Sequence, residues 1–413
     1  MANGRTVTCN GRDYAWPKAP TVVVCLDGSE PGYIEETIKA RRAPTFEAMM
    51  SRGANLLADS VIPSFTNPNN LSIITGRPPA VHGIAGNFFY DPVSKTEVMM
   101  NDPKFLRAPT ILRTFHDAGA KVGMVTAKDK LRLLLSHGLD YSSARAIAFS
   151  SERADTATKK DNGIDDVLRV VGKPLPNVYS ADLSEFVFAA GVKLMETFRP
   201  DLMYLSTTDY IQHKVGPGTK IANDFYAMID GYLGRLDALG AVIVATADHG
   251  MNDKHKADKS PNVVYLQTHF DAWLGKDKAR VILPITDPYV AHHGALGSFA
   301  TVHIPAGANA EDLLSRLRKI EGVALAITQR EACERFELPA DRIGDLVVTS
   351  TRHMTLGTAP EKHDFSGLDE PLRSHGGLTE QRVPMLANRR LSVPTSRKLR
   401  NFDVFDVALN HVA

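Results

Sequence analysis

The sequence predicts an α/β fold in which a mostly parallel sheet is flanked by helices, with a smaller α+β unit inserted late in the chain. Four continuous apolar, β-branched runs alternate with helix-like segments, which is typical of strands buried on both faces of a parallel sheet. Beyond Met251 the pattern changes to short strands and helices in β-α-β-α-β order, which suits a small α+β unit. The four runs are residues 21–26, 121–126, 201–206 and 241–247.

Length and composition are compatible with two units and exclude several classes of function. A chain of 413 residues is long enough for a large core, here residues 1–252 and 368–413, and an insert at 253–367. A net charge of +1 gives no reason to expect nucleic acid or an anionic membrane as a partner. Neither a secretory signal nor an apolar run of about 18 residues is found, so we expect a cytoplasmic protein without a membrane span. A homo-oligomer is compatible with this composition.

The cysteines do not indicate a disulfide framework or a thiolate metal site. Cys9, Cys25 and Cys333 are an odd number and lack the spacing of a thiolate metal site. Cys25 lies inside the first apolar run, where it is expected to be a small core residue.

Asp27 directly follows the first apolar run, at the edge where open α/β sheets place their ligand chemistry. A helix is predicted after it, over residues 34–50, interrupted near Pro44 and ending at Gly53.

Residues 61–76, VIPSFTNPNNLSIITG, form a polar turn followed by a run typical of a buried helix, with Thr66 at the centre. Pro68 suits the first turn of that helix, where its missing N–H costs nothing. Thr66 then lies among unpaired backbone N–H groups that favour an anion. From this segment alone Thr66 is either an N-cap or an anion-binding residue.

Lys128 and Lys130 follow the second apolar run and open a helix predicted over residues 131–137. Cations in a first turn oppose the helix dipole, which indicates that another group requires them. The alternative is a solvated face on which Asp129 compensates the two charges.

The third and fourth runs lead into further acids and imidazoles. Asp209 and His213 are four residues apart and would share one face of a helical turn. Asp248 and His249 end the fourth run, and His375 lies in a late glycine loop. Taken singly, each has a structural alternative as a cap, turn or loop residue. Together they form a cysteine-free Asp/His set that suits Zn²⁺, or less well Mn²⁺ or Fe, because cations would relieve the repulsion between clustered carboxylates.

The insert is predicted to alternate strands and helices. His292 and His293 lie within it, and because adjacent side chains of a strand point in different directions, a surface or lid role is favoured over a metal pair. The remaining predicted strands are 280–286, 299–304, 323–327 and 345–350, and the remaining predicted helices are 109–118, 181–198, 219–239, 310–320, 329–336 and 400–412.

These motifs together resemble the alkaline phosphatase superfamily. More closely, they resemble its branch with a threonine nucleophile, the nucleotide pyrophosphatase/phosphodiesterases and phosphonoacetate hydrolases. The resemblance covers about residues 20–380. It rests on P-x-x-T-x-P-N around Thr66, T-G-x-x-P-x-x-H-G at 75–83, D-x-x-x-H from Asp209, D-H-G from Asp248 and the late His375.

The resemblance implies two Zn²⁺ ions per chain and a catalytic Thr66 that becomes transiently phosphorylated. Asn87 matches the asparagine that contacts a phosphoryl oxygen in this branch. One zinc would be held by Asp209, His213 and His375, and the other by Asp27, Asp248, His249 and the Thr66 oxygen. The implied substrate-binding residues are Thr66, Asn87, Lys128, Lys130, His213 and His375.

The lysine pair decides between the substrates of this branch. Lys128 and Lys130 resemble carboxylate-binding lysines, so the expected substrate is a small phosphonate, phosphonoacetate, cleaved at its C–P bond to acetate and phosphate, with the insert as lid. A nucleotide phosphodiesterase is the alternative, with an aromatic slot from Phe88, Phe89 or Tyr90. A metal-binding pseudoenzyme or sensor is a further alternative, which would require a missing ligand or nucleophile.

Overall fold

A computed structural model of the protein describes residues 5–286 and 296–412. The strands in these residues are β1 Thr6–Cys9, β2 Arg12–Ala15, β3 Thr21–Cys25, β4 Ala54–Asp59, β5 Phe88–Asp91, β6 Thr96–Met99, β7 Val122–Thr126, β8 Ala146–Ser150, β9 Leu202–Ser206, β10 Val242–Thr246, β11 Asn252–Asp253, β12 Val263–Tyr265, β13 Arg280–Ile282, β14 Phe299–His303, β15 Val323–Thr328, β16 Leu346–Ser350, β17 Thr355–Gly357, β18 Arg373–Ser374 and β19 Arg382–Ala387.

Helices cover both faces of the central sheet and part of the inserted unit. They are α1 Pro31–Lys39, α2 Pro44–Arg52, α3 Thr66–Thr75, α4 Pro79–His82, α5 Ile111–Asp117, α6 Asp129–Leu135, α7 Lys159–Asn162, α8 Val167–Val171, α9 Asp182–Thr197, α10 Tyr210–Lys214, α11 Lys220–Ala238, α12 Leu266–Leu274, α13 Ala310–Leu317, α14 Gln329–Phe336 and α15 Val404–Asn410. Within the described ranges, none combines the length and the apolar character needed to cross a membrane.

The central sheet of the described chain has seven strands in the order β4-β19-β10-β3-β9-β7-β8. The strands from β10 to β8 are parallel, while β19 runs antiparallel to both of its neighbours. The four apolar runs form β3, β7, β9 and β10, so the predicted α/β fold with a mostly parallel sheet is confirmed. Every residue of β3, β7 and β9 is buried, as expected for strands covered on both faces.

Alternate residues of β3 point into two different apolar clusters. Val23 belongs to the cluster that includes α3, α5, α6 and α15. Val22 and Val24 belong to the cluster that includes α1, α2, α9 and α11. This alternation places the sheet as the middle layer of three and leaves its carboxyl edge as the place where polar side chains meet.

The strands β4, β8 and β19 do not follow from the sequence pattern. β4 is an edge strand in which half-buried and exposed residues alternate from Ala54 to Leu57, so it lacks an unbroken apolar run. β19 contains Pro384, which argues against a central strand, yet it pairs with both β4 and β10.

The inserted residues contain a four-stranded antiparallel sheet in the described chain, with the order β13-β14-β16-β15. One of its faces packs on α12 and α13 in a separate apolar cluster. Its other face, with Phe299 and Val347, joins the apolar cluster of the main sheet. The two strands that flank the insert, β11 and β18, pair with each other where the chain leaves and re-enters the core. The boundaries 253–367 and the lid role of the insert stay predictions.

Candidate active site

The three predicted acids lie at the carboxyl edge of the parallel strands. Asp27 follows β3, Asp209 follows β9 and Asp248 follows β10. Their exposed fractions are 3%, 8% and 0%. Because β10, β3 and β9 are adjacent and parallel, their ends bring the three carboxylates to one place.

Among the described residues, two groups of side chains have the arrangement of a metal site, with the candidate ligand atoms of each group within 4.8 Å of one another. All six side chains are buried, although His213 as a whole residue is half-buried. One group is Asp209, His213 and His375, and the other is Asp27, Asp248 and His249.

In the first group, the imidazoles are oriented by backbone carbonyls. His213 Nε2 is 2.9 Å and His375 Nε2 is 3.7 Å from Asp209 Oδ2. His213 Nδ1 donates to the Arg373 carbonyl at 3.0 Å, and His375 Nδ1 donates to the Ser64 carbonyl at 2.8 Å. Since a carbonyl only accepts, each proton lies on Nδ1, and the Nε2 lone pairs face the carboxylate as a metal would require.

The second group repeats this design. His249 Nε2 is 3.3 Å from Asp27 Oδ1 and 3.7 Å from Asp248 Oδ2, while its Nδ1 donates to the Gly250 carbonyl at 2.9 Å. Asn70 Nδ2 donates to Asp248 Oδ2 at 3.1 Å and fixes that carboxylate.

Thr66 and a stacked pair of imidazoles join the two groups. The rings of His249 and His375 are nearly parallel, with centroids 3.6 Å apart. Thr66 Oγ1 lies 3.3 Å from His249 Nε2. Thr66 is the first residue of α3 and Phe65 is the N-cap, so the N-cap alternative for Thr66 is wrong. Its hydroxyl is directed at the ligand cluster instead.

The shifted pKa values of the three buried carboxylates are compatible with cations bound between them. Burial, reinforced by the carboxylates of Asp209 and Asp248, raises the pKa of Asp27 well above its usual value. Burial also raises the pKa of Asp248, against the opposing effect of His249. Burial acts in the same direction on Asp209, but His213 and other imidazoles outweigh it and lower that pKa.

An unsatisfied oxygen gives a second indication. Within residues 5–286 and 296–412, no hydrogen-bond donor satisfies the buried Asp27 Oδ1. Buried polar atoms without a partner are rare, and a metal ion is one of the groups that explain them. The donor set of carboxylate oxygens and imidazole nitrogens, without thiolate, fits Zn²⁺ and similar divalent cations.

The cluster opens into a cleft of about 420 Å³. Asp248 and His249 lie behind its wall, whereas the other predicted site residues form it. Those on the wall are Asp27, Thr66, Asn87, Lys128, Lys130, Asp209, His213 and His375.

The two lysines line this cleft, and the carboxylate of Glu152 lies on the same wall. Lys128 is the N-cap of α6 and is half-buried, and Lys130 is exposed. Asp129 instead pairs with Arg132 at 2.6 Å and accepts a hydrogen bond from Ser150 Oγ at 2.9 Å. Neither lysine forms an ion pair with any described residue, so Asp129 does not compensate them by direct pairing, while the exposed Lys130 still fits a solvated face.

The predicted aromatic slot is not found on the cleft wall. Phe89 packs on Phe105, and Tyr90 packs on His303, away from the cleft. Tyr179, which the sequence pattern did not single out, lines the cleft and is 56% exposed. His292 and His293 lie outside the described residues.

Several supporting residues were also missed from the sequence. Asn70 accepts hydrogen bonds from the Tyr204 hydroxyl at 2.7 Å and the Ser206 hydroxyl at 2.8 Å, which orients its amide toward Asp248. Gly28, next to Asp27, has φ +69°, and a Cβ there would lie 2.8 Å from Asp209 Cβ. The position four residues after Thr66, on the buried side of a helix, was the available signal for Asn70.

Comparisons with known proteins agree with this geometry. A crystal structure of phosphonoacetate hydrolase from Sinorhizobium meliloti 1021 in complex with phosphonoacetate is 60% identical, with a TM-score of 0.97 and 100% of both chains covered. Murine ectonucleotide pyrophosphatase/phosphodiesterase 5 is 20% identical, with a TM-score of 0.61 and coverage of 94% of this chain and 93% of that one, and shares the fold. These matches confirm the alkaline-phosphatase-like core.

Sequence relatives are more distant. An uncharacterised pyrophosphatase/phosphodiesterase of Schizosaccharomyces pombe is 22% identical over 264 residues, 61% of this chain and 44% of the relative. The chain therefore spans less than half of that relative's length.

The family profile for type I phosphodiesterase / nucleotide pyrophosphatase matches residues 21–378. This span begins at β3 and ends just beyond His375, so it contains both ligand groups, Thr66 and the two cleft lysines. The resemblance inferred from the motifs is confirmed, and the chain belongs to the type I phosphodiesterase / nucleotide pyrophosphatase family.

Proposed function

We propose that this chain is a metal-dependent hydrolase that cleaves the C–P bond of phosphonoacetate to acetate and phosphate, by way of a phosphorylated Thr66. The Sinorhizobium meliloti protein, 60% identical over its whole length, binds phosphonoacetate in one crystal structure and phosphonoformate in another. Both ligands combine a phosphonate with a carboxylate, and the cleft of this chain offers a separate cationic group for each.

The observation that favours this substrate is the presence, in the same cleft as Thr66 and the ligand cluster, of two ammonium groups that form no ion pair with any described residue. Lys128 and Lys130 suit a small second anion on the substrate, because a charge-assisted hydrogen bond to a carboxylate is stronger than a neutral one. A phosphate monoester or a simple diester carries no such second group.

The metal assignment follows the two ligand groups. We assign one Zn²⁺ to Asp209, His213 and His375, and a second to the other group. When bound, such ions neutralise the buried carboxylates, lower the pKa of the Thr66 hydroxyl and polarise the phosphonate.

The remaining catalytic roles are assigned to side chains and backbone groups of this chain. Thr66 Oγ attacks phosphorus and loses its proton, while the electron pair of the C–P bond passes to the methylene carbon and is delocalised into the carboxylate as an enolate. Lys128 and Lys130 stabilise that charge, and protonation of the carbon gives acetate. Asn87, together with the backbone N–H of Asn67, holds a phosphoryl oxygen. Water hydrolyses the phospho-threonine, which releases phosphate and restores the hydroxyl.

The test compares two substrates in lysine variants. With zinc present, we expect Lys128→Ala and Lys130→Ala each to lower kcat/KM for phosphonoacetate by about 10- to 100-fold, the equivalent of a hydrogen bond to a charged group. Hydrolysis of bis(4-nitrophenyl) phosphate should change by less than about 3-fold, since it has no carboxylate. Lys104→Ala is the matched control, because Lys104 is exposed and pairs with Asp102 away from the cleft.

The outcomes separate the candidates. Equal losses on both substrates would favour a phosphodiesterase. A wild-type protein that releases no phosphate from phosphonoacetate in the presence of zinc would contradict the proposed function.

A nucleotide phosphodiesterase is the second candidate, and Tyr179 is the observation in its favour. Its half-exposed ring lines the cleft, where a nucleobase can stack on it. If this candidate is correct, Tyr179→Ala will raise KM for a nucleotide 4-nitrophenyl ester much more than for bis(4-nitrophenyl) phosphate.

A further inference from the structure

Thr286 belongs to the inserted part of the chain, four residues after the end of β13, and lines the cleft beside Asn87. Asn87 Nδ2 donates to Thr286 Oγ1 at 2.8 Å. The side chain assigned to the phosphoryl group is therefore held by a residue 199 positions away in the sequence.

The backbone of Asn87 is fixed independently of this side-chain bond. Its N–H donates to the Pro284 carbonyl at 2.9 Å, and its carbonyl accepts from the Met100 N–H at 2.8 Å. The chain packs so closely here that a Cβ on Gly86 would lie 2.7 Å from Pro284 Cβ and 2.8 Å from Pro284 O. With the backbone held in this way, the orientation of the Asn87 amide depends on its two side-chain torsions.

The hydrogen bond to Thr286 sets those torsions. An asparagine amide has a donor end with two N–H groups and an acceptor end with two lone pairs. When Thr286 Oγ1 accepts one N–H, Nδ2 is kept toward the cleft wall and its second N–H remains for a ligand oxygen. If the amide rotated by half a turn, its carbonyl would face the anion and repel it. Because the Asn87 N–H is already oriented in the free protein, less side-chain entropy is lost when the substrate binds and when the transition state forms.

We propose that Thr286 is a positioning residue for Asn87, so that the inserted unit supplies part of the phosphonate-binding wall. This inference rests on the proposed function in one respect, the contact of Asn87 with a phosphoryl oxygen. It does not depend on whether the rest of the substrate is acetate-like or nucleotide-like, because the phosphoryl group is common to both.

The test uses Thr286→Val, which keeps the shape and removes the hydroxyl, and Thr286→Ser, which keeps the hydroxyl. We expect Val to lower kcat/KM by about 5- to 10-fold and Ser by less than about 2-fold, on phosphonoacetate and on bis(4-nitrophenyl) phosphate alike. In an Asn87→Ala background, Thr286→Val should cost less than about 2-fold more, because the two residues act as one unit. Thr301→Val, a buried change in β14 of the same unit, is the control for folding.

Binding of inorganic phosphate to zinc-loaded protein, measured by calorimetry, gives a readout that needs no turnover. We expect Thr286→Val to weaken it by about 5-fold and Thr286→Ser to restore it. The proposal is overturned if Val retains wild-type phosphate affinity, if Ser fails to restore it, or if Val costs as much without Asn87 as with it. A wild type that binds phosphate but leaves phosphonoacetate intact would contradict the proposed function alone.

Discussion

At the scale of single residues, Thr66 combines a helix N-terminus, a place on the cleft wall and a hydroxyl 3.3 Å from His249 Nε2. Removing that hydroxyl takes away the proposed attacking atom and leaves both three-residue ligand groups intact. We expect Thr66→Ala to lower kcat by roughly 10³-fold or more while the zinc content stays near that of the wild type. Thr66→Ser is the matched control and should keep measurable turnover. Full activity in Thr66→Ala would contradict the nucleophile assignment.

His82 is a buried imidazole that stays neutral. Burial, with the nearby charge of Arg342, lowers its pKa to about 3. The Ile84 N–H donates to His82 Nδ1 at 3.2 Å, so the ring proton lies on Nε2 and is donated to Ser72 Oγ at 2.8 Å. This pair ties α3, which carries Thr66, to the turn that leads to Asn87.

The stability contribution of His82 depends on pH. In the unfolded chain its pKa is about 6.5, so between about pH 6.5 and about 3 the unfolded state binds a proton that the folded state does not. Stability is therefore fully present above pH 6.5 and is lost as pH falls. We expect His82→Gln to be less stable than wild type at pH 7, and this deficit to shrink by about 2 kcal/mol at pH 5. Urea unfolding in a chelator at both pH values measures this, and an unchanged deficit would contradict it.

The residues that sequence reasoning found and missed differ in a physical way. Asp27, Asp209 and Asp248 were identifiable because each closely follows an apolar strand, which predicts its location. Asn70 and Thr286 contact side chains 178 and 199 positions away. Helical spacing from Thr66 is a local signal that Asn70 faces the site, but no local pattern identifies the distant partner of either residue.

At the scale of elements, a buried ion pair links the loops that carry the two histidines of the stacked pair. Glu380 Oε2 accepts from the Gly377 N–H at 2.9 Å, and its backbone carbonyl accepts from the Gly250 N–H at 2.7 Å. Lys254 Nζ lies 2.9 Å from Glu380 Oε1, and both side chains have zero exposure. Burial lowers the pKa of Lys254, and Glu380 opposes that change.

Lys254→Met leaves the Glu380 charge buried without its cation, so we expect a loss of about 3–5 kcal/mol in the free energy of unfolding. Lys254→Met with Glu380→Leu should recover much of that loss, because an apolar pair avoids the desolvation cost. The double variant should still bind zinc more weakly than wild type, since the Gly377 N–H loses its acceptor. Chemical unfolding and metal analysis measure the two effects, and a single variant as stable as wild type would contradict the reasoning.

Burial explains why most of the strands of the central sheet were predicted or missed, with the exception of β8, which is buried throughout and was still missed. β3, β7, β9 and β10 were predicted because strands covered on both faces show unbroken apolar runs. β4 shows no such run because one of its faces is partly solvated, and β19 was hidden by Pro384. The helix predicted over 34–50 forms as the two helices α1 and α2, so its interruption near Pro44 is confirmed, while its ends lie within three residues of those predicted.

At the scale of the whole molecule, the inserted unit and the core share apolar packing. Phe299 and Val347 of the insert lie in the same cluster as Val23 of β3. Arg342, also from the insert, donates to the Phe105 carbonyl at 2.8 Å. The change to short alternating strands and helices after residue 251 predicted that an insert exists. Its contacts with the core join residues far apart in the chain, and such tertiary contacts cannot be read from the sequence pattern.

Metal removal should affect the stability of the entire protein. Asp27, Asp209 and Asp248 terminate three adjacent strands, so their mutual repulsion without cations acts on the middle of the central sheet. A ligand that binds only the folded state adds about 2.7 kcal/mol for each site held at a hundred times its Kd. We expect chelated protein to lose activity and to melt at a lower temperature, and Zn²⁺ to restore both with two equivalents per chain. Asp209→Asn removes the carboxylate from one of the two ligand groups, so this variant should bind close to one equivalent of zinc. A melting temperature that does not respond to zinc would contradict the metal centre itself, because the same cluster must then be stable with its carboxylates unneutralised.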